Sequence, residues 1–137
     1  ENRLLEYAEY NGNYYGTPED AIKAWLSEGK NVLLEIEVQG AEQVLNHRSD
    51  CVSIFITIPS IAELERRLRE RGTETEEKIR GRMAVARREL GRAFRYDYVV
   101  LNDEVPEAVK RIHTIIDAEK MRYSRMENMI QEVLDEC

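Results

Sequence analysis

Two stretches of this sequence carry side chains suited to chemistry as well as to packing. Glu6-Tyr7-Ala8-Glu9-Tyr10-Asn11-Gly12-Asn13-Tyr14-Tyr15-Gly16-Thr17-Pro18 sets four tyrosines among glycines and amides, and Leu33-Leu34-Glu35-Ile36-Glu37-Val38-Gln39-Gly40 plants two carboxylates in an otherwise apolar strand. A carboxylate removed from water is tolerated only when it is paired or hydrogen-bonded, so two acids on a buried strand require donors opposite them. Together the stretches read as two walls of one polar pocket. A third feature is a reversal of charge. The chain has a net charge of −7, yet between Ile61 and Arg95 eleven Lys and Arg stand against seven acids. That excess suits a specific anionic ligand such as phosphate, and it equally suits a solvated helix laced with i,i+4 ion pairs.

The elements that must position these residues follow from periodicity. Leu4 to Tyr10 and Asn13 to Tyr15 read as strands joined by a tight turn at Asn11-Gly12. Thr17 is the expected cap of a helix with Pro18 in its first position, Ala21, Ile22, Trp25 and Leu26 on its apolar face, and Gly29 at its end. Buried strands are expected at Asn31 to Glu37, Val52 to Ile58 and Tyr98 to Leu101, with a short helix from Gly40 to His47 between the first two. A helix follows Pro59-Ser60 through Arg71. After Gly72, Thr73 and Glu76 have capping-box spacing for another helix with Ile79, Met83, Ala86 and Leu90 on one face. It reads as a helix hung off the core by a glycine. Pro106 opens a C-terminal helix whose stripe is Val105, Val109, Ile112 and Ile116, continued by Met126, Ile130 and Val133. Strand alternating with helix implies an α/β layer structure around a parallel sheet.

Composition excludes several classes of function. A net negative chain disfavours non-specific binding to nucleic acid. Cys51 and Cys137 are too far apart for metal-ligand spacing and too few for a disulfide framework. His47 and His113 stand alone and read as surface or packing residues. No apolar run approaches the roughly 18 residues of a membrane span, so the expectation is no membrane partner and a reduced, cytoplasmic setting. At 137 residues the chain holds one domain's core.

Four signals in order resemble the guanylate kinases, P-loop enzymes that pass a phosphoryl group from ATP to GMP. They are E-x3-Y-x-G-N-Y-Y-G-T at Glu6 to Thr17, L-E-I-E-V-Q-G at Leu34 to Gly40, R-x3-R-G-T-E-T at Arg67 to Thr75, and Val100-Leu101-Asn102-Asp103. The resemblance implies a P-loop kinase-like parallel sheet flanked by helices, with part of a GMP-binding β region and a helical lid. Its divisions would be residues 1–17 for the remnant of the GMP-binding domain, 18–71 for core, 72–95 for lid, and 96–137 for core and C-terminal helices. The family's phosphate loop, G-x4-G-K-[ST], has no match here, so the chain is expected to be the C-terminal portion of a longer protein and inactive alone. In the family's sheet the phosphate-loop strand lies between the strands at Asn31 to Glu37 and Val52 to Ile58. Without it, exposed edges would invite self-association.

The resemblance also distributes roles. Glu6 would accept from guanine N1–H and Glu37 from the exocyclic amino group, a donor pair that adenine lacks. The Thr17 hydroxyl would donate to the guanine carbonyl and the Tyr15 hydroxyl to the GMP phosphate. Arg71 and Arg82 match lid arginines that reach the transferring phosphates, Arg67 and Asn102 match residues near adenine, and Glu35 would meet the Mg2+ that accompanies ATP through water. Thr17 read alone is a helix cap, and Glu6 read alone is a surface acid. A second class remains open: guanylate-kinase-like modules of membrane-associated scaffold proteins have lost catalysis and bind phosphopeptides.

Overall fold

A computed structural model describes residues 4–10 and 13–136, the side chains of residues 4–10, 13–15 and 17 excepted. The Asn11-Gly12 turn and Cys137 lie outside the described residues. Strands β1 (Leu4–Tyr10) and β2 (Asn13–Pro18) form the expected antiparallel hairpin. In its register Glu6 is opposite Thr17 and Ala8 opposite Tyr15, with an irregularity between Leu4 and Glu6.

Helix α1 (Glu19–Ser27) starts one residue later than the sequence suggests, and its N-cap is Pro18, which makes no side-chain cap bond. The proline ring holds φ at −66° while ψ stays extended at 121°, so Thr17 remains in β2 instead of capping the helix. At the other end Gly29 adopts φ 82°, a left-handed conformation that closes helices at little cost only for glycine. The expected apolar face is only half used: Ile22 is buried, whereas Trp25 and Leu26 are 45% and 41% exposed.

Ile22 and Val44 form a small core, against which Val32, Leu34, Ile36 and Cys51 pack. The segment 31–37 was expected to be a buried strand, and it is not one. Val32, Leu34 and Ile36 turn inward while Leu33, 80% exposed, and Glu35 turn out. That is strand periodicity without a ladder, because no strand pairs with this segment among the described residues. Glu35 is therefore exposed rather than buried. The chain then enters α2 (Val38–His47), two residues earlier than expected, with Glu37 as its N-cap. Helix α2 lies against β1.

Strands β3 (Ile54–Thr57) and β4 (Tyr98–Leu101) pair in a second, parallel sheet. The direction is read from Tyr98 N–H donating to the Ser53 carbonyl at 3.1 Å and Asn102 N–H to that of Thr57 at 2.8 Å. Ahead of β3, Ser53 N–H and its hydroxyl each contact Asp97 Oδ2, at 3.0 and 3.1 Å, and the Asp97 N–H donates to Ser53 Oγ at 2.9 Å. Phe55 meets the edge of Tyr96 at 5.2 Å. Phe55 and Val100 are buried, but Ile56 and Val99 are about half exposed. These strands thus bury one side only, against the expectation of fully buried ones, because a two-stranded sheet covered on one face leaves every second residue in solvent.

Helix α3 (Ile61–Arg71) is capped by the Ser60 hydroxyl accepting from Glu63 N–H and ends at Gly72, φ 65°. Helix α4 (Glu76–Leu90) is capped by Thr75, whose Oγ1 accepts from Lys78 N–H at 3.3 Å, so the capping residue is Thr75 and not Thr73. Its expected stripe forms, with Ile79 buried and Met83, Ala86 and Leu90 half-buried. The single C-terminal helix expected from sequence is two, α5 (Val105–Lys120) and α6 (Tyr123–Asp135), which pack together. The α5 stripe is rotated from the expected one: Ala108 and Glu119 are buried, while Val105 and Val109 are 67% and 45% exposed.

The chain divides into two compact units, residues 1–55 with 85–98 and residues 56–84 with 99–137.

Candidate functional site

The residues singled out for the base and acceptor phosphate all lie in the first unit. Glu6 and Thr17 are register partners, and Tyr15 is one pleat period from Thr17. Their side chains are outside the described set. Helix α2 rests on β1, and Glu37 stands at its head, half-buried, with Oε1 accepting from Gly40 N–H at 3.1 Å. The carboxylate thus serves first as a cap, satisfying an orphan amide and complementing the positive end of the helix. A carboxylate accepts at both oxygens, so capping through Oε1 is compatible with accepting a ligand donor at Oε2.

Sequence reasoning missed Glu89, although an acid three residues after Ala86 on a half-buried helical stripe was a readable signal. The nearby Val38 amide and Arg88 charge favour the ionised form of Glu89. Burial and the nearby Glu37 charge push the Glu89 carboxyl up from its ordinary value. One turn on, Arg92 Nε donates to Glu42 Oε1 at 2.7 Å, and this pairing holds the Glu42 carboxyl down. Burial and the charges of Glu42, Glu89 and Glu37 push the Tyr96 hydroxyl up.

The residues singled out for adenine and the transferring phosphates all lie in the second unit. Arg67, half-buried, donates to the Asn102 carbonyl at 3.4 Å and the Asp103 carbonyl at 3.2 Å, and its Nε meets Glu63 Oε1 at 3.1 Å. The structure therefore brings Arg67 and Asn102 together at the end of β4. Arg71 closes α3 and is exposed. Arg82 meets Glu74 Oε1 at 2.7 Å, a partner that sequence reasoning did not anticipate. The other Glu74 oxygen is buried without a hydrogen-bond partner, which makes this an imperfectly satisfied carboxylate. Arg66 and Arg69 belong to the solvated lattice of α3, Arg66 with Glu63 and Glu70, Arg69 with Glu65 and Glu76. For them the ion-pair reading of the basic segment holds.

Among the described residues no group of three acids, histidines or cysteines could hold a metal ion. A Mg2+ that travels on a nucleotide keeps water and phosphate oxygens as most of its ligands and asks the protein for one or two carboxylates. The exposed Glu35 fits that lesser role. His47 and His113 are both exposed.

The family pattern described as guanylate kinase matches residues 1–119. The chain belongs to the guanylate kinase family. It is 52% identical to the guanylate kinase of Enterococcus faecalis over 97% of this chain and 65% of that protein, and 47% identical to that of Desulfitobacterium hafniense over 97% and 66%. The crystal structure of guanylate kinase from Anaplasma phagocytophilum superimposes with a TM-score of 0.74 at 34% identity, covering 90% of this chain and 60% of that one. The fold is accordingly the α/β, P-loop kinase fold of the guanylate kinases, and the chain spans just under two thirds of the length of these relatives.

Proposed function

We propose that the protein is an ATP:GMP phosphotransferase of purine nucleotide metabolism, converting GMP and ATP to GDP and ADP. Family membership supports the class of enzyme. The observation that carries the choice of acceptor is the packing of α2 on β1, which makes the element bearing Glu37 a direct neighbour of the strand bearing Glu6. In this reading the two carboxylates accept from N1–H and the exocyclic amino group of guanine, two charge-assisted bonds. Thr17 donates to the carbonyl and Tyr15 to the acceptor phosphate.

The second unit serves the donor. Arg67 and Asn102 lie beside adenine, and Arg71 and Arg82 stabilise negative charge spreading over the phosphoryl group in flight, which is most of what a protein contributes to this reaction. Glu74 holds Arg82 at rest, so recruitment of Arg82 exchanges one anion for another. ATP enters as its Mg2+ complex, and Glu35 would contact the ion through water. The enzyme class supports a cytoplasmic setting without membrane or nucleic-acid partners; no helix among the described residues is long and apolar enough to cross a membrane.

Titrating the chain with GMP, IMP and AMP while following Trp25 and tyrosine fluorescence tests the base assignment. Saturable GMP binding with IMP weaker by at least tenfold and AMP weaker still is the expected result. Equal response to GMP and AMP would overturn it. No G-x4-G-K-[ST] spacing occurs in these 137 residues, so the chain alone is expected to bind GMP without turning it over. Binding of a phosphopeptide in place of GMP would favour the non-catalytic module.

A further inference from the structure

The loop that leads from β4 into α5 is tied down from three elements. Asn102 N–H donates to the Thr57 carbonyl at 2.8 Å, which carries the ladder to β3 one residue past the end of β4. From α3, Arg67 donates to the Asn102 carbonyl at 3.4 Å and to the Asp103 carbonyl at 3.2 Å. From inside α5, Arg111 folds back: its Nη1 donates to the Leu101 carbonyl and to Asp103 Oδ1, both at 2.8 Å. Asp103 Oδ1 also accepts from Glu104 N–H at 2.7 Å. Every main-chain carbonyl from Leu101 to Asp103 is thus held by an arginine. The Asn102 side chain is the exception, since its amide bonds to none of the described residues.

Stability is a weak reason for this arrangement. The Arg111 and Asp103 side chains are 40% and 38% exposed, and an ion pair so open to water adds little to the folded state. What the contacts of Arg111 fix is direction, because they hold the main chain on both sides of Asn102. An amide on such a fixed main chain, with no internal partner, offers a donor and an acceptor side by side. Adenine presents the matching acceptor and donor at N7 and N6, whereas guanine presents two acceptors on that edge. We infer that Arg111 is a positioning residue for the donor base: through the Leu101 carbonyl and Asp103 it sets the angle at which Asn102 meets adenine, and so contributes to the choice of ATP over GTP. This rests on the proposed placement of Asn102 beside adenine. Arg111 itself touches no nucleotide.

The discriminating quantity is the ratio of kcat/KM for ATP to that for GTP. In a form of the protein that turns over GMP and ATP, Arg111→Ala is expected to lower this ratio about fivefold through KM for ATP, the order of effect of one misaligned hydrogen bond. The kcat with ATP and KM for GMP should stay within about twofold of their starting values, a margin too narrow for a global loss of fold. Asn102→Ala is the control and should lower the ratio at least as far. Added to Asn102→Ala, the Arg111→Ala change should do nothing more, because a residue that acts only through another loses its effect once that other is gone. Should Arg111→Ala not fold, Asp103→Asn loosens the same link from its other end, keeps an oxygen for Glu104 N–H, and carries the same expectation. If these variants leave the ratio intact, lower ATP and GTP use equally, or multiply with Asn102→Ala, the positioning role is wrong. If Asn102→Ala itself leaves the ratio intact, the assignment of Asn102 to adenine is wrong, and the role of Arg111 falls with it.

Discussion

The junction of α2 with the end of α4 and the solvated face of α3 are both rich in charge, and they treat it in opposite ways. At the junction Glu37 and Glu89 are both half-buried, and Glu89 is pushed up by burial and by the Glu37 charge. On α3 the hydrogen bonds of Arg66 and Arg67 hold Glu63 down to about 2. Acids that only stabilise a surface are neutralised by arginines a turn away. Half-buried acids near one another carry a cost in burial and repulsion that the Arg88 charge only partly offsets, and groups shifted in this way gather at functional sites. The difference separates two uses of the same side chain within one small protein.

The sharpest way to break this comparison is to remove an arginine assigned to phosphate. In a form of the protein that turns over GMP and ATP, Arg82→Ala is expected to lower kcat about a thousandfold, the order seen for arginines that stabilise a transferring phosphoryl group, with KM for GMP nearly unchanged. A parallel rise in KM for GMP would show that the arginine proposed for the phosphates and the acids proposed for the base are not separate devices. Steady-state kinetics with varied GMP and varied ATP decides between these outcomes.

A smaller effect is expected from the scaffold under the first unit. Ser53 is buried at 9% exposure and exchanges three hydrogen bonds with Asp97. Ser53→Ala removes the two made by the hydroxyl and strands part of Asp97, which should cost about 1–3 kcal/mol in urea unfolding. The preference for GMP over IMP should survive, since this bond network supports β3 and touches neither carboxylate at α2.

The smallest effect is in the pH dependence of stability, where the two kinds of acid have opposite signs. Asp103, held down to about 2 by hydrogen bonds from Arg111 and the Glu104 N–H, and Glu63, held to the same value, are easier to ionise in the folded state. Their contribution is complete above the ordinary carboxylate range near 4 and is lost as pH falls from there toward 2. Glu89 is harder to ionise when folded, so its contribution is greatest when it is protonated and declines as pH rises through and above 4.5. Thermal melts of the chain and of Glu89→Gln between pH 3 and 6 should diverge most toward the upper end. Coincident curves would mean that the junction acids are not strained.

Much of this organisation was legible in the residues themselves. The hairpin, the stripe of α4 and the left-handed glycines after α1 and α3 followed from local periodicity and from the backbone freedom of Gly29 and Gly72. What failed to read through had a common cause: local pattern reports which side of an element is apolar, not whether anything covers it. Val32, Leu34 and Ile36 alternate as a strand should, but a ladder needs a second chain segment. Val105 and Val109 looked like core and face water because α5 is turned to bury Ala108 and Glu119. Glu37 was marked as a base-reading acid at a strand's end, and the structure adds that the same carboxylate caps a helix. Glu74 left no trace in the pattern, since its partner Arg82 lies eight residues on and outside helical pairing distance.

The joint at Gly72 has a practical corollary. A β-carbon built there would meet nothing nearer than the Glu70 carbonyl at 4.0 Å, so only the torsion at φ 65° resists one. Mirror-image alanines installed by semisynthesis would then act as opposing weights on a single dihedral: the D-enantiomer relaxed in the observed geometry, the L-enantiomer strained by about 1–2 kcal/mol, with the same atoms added in both. Such a pair would let the stiffness of the connection between α3 and the arginine-bearing helix be dialled without altering any charge on either.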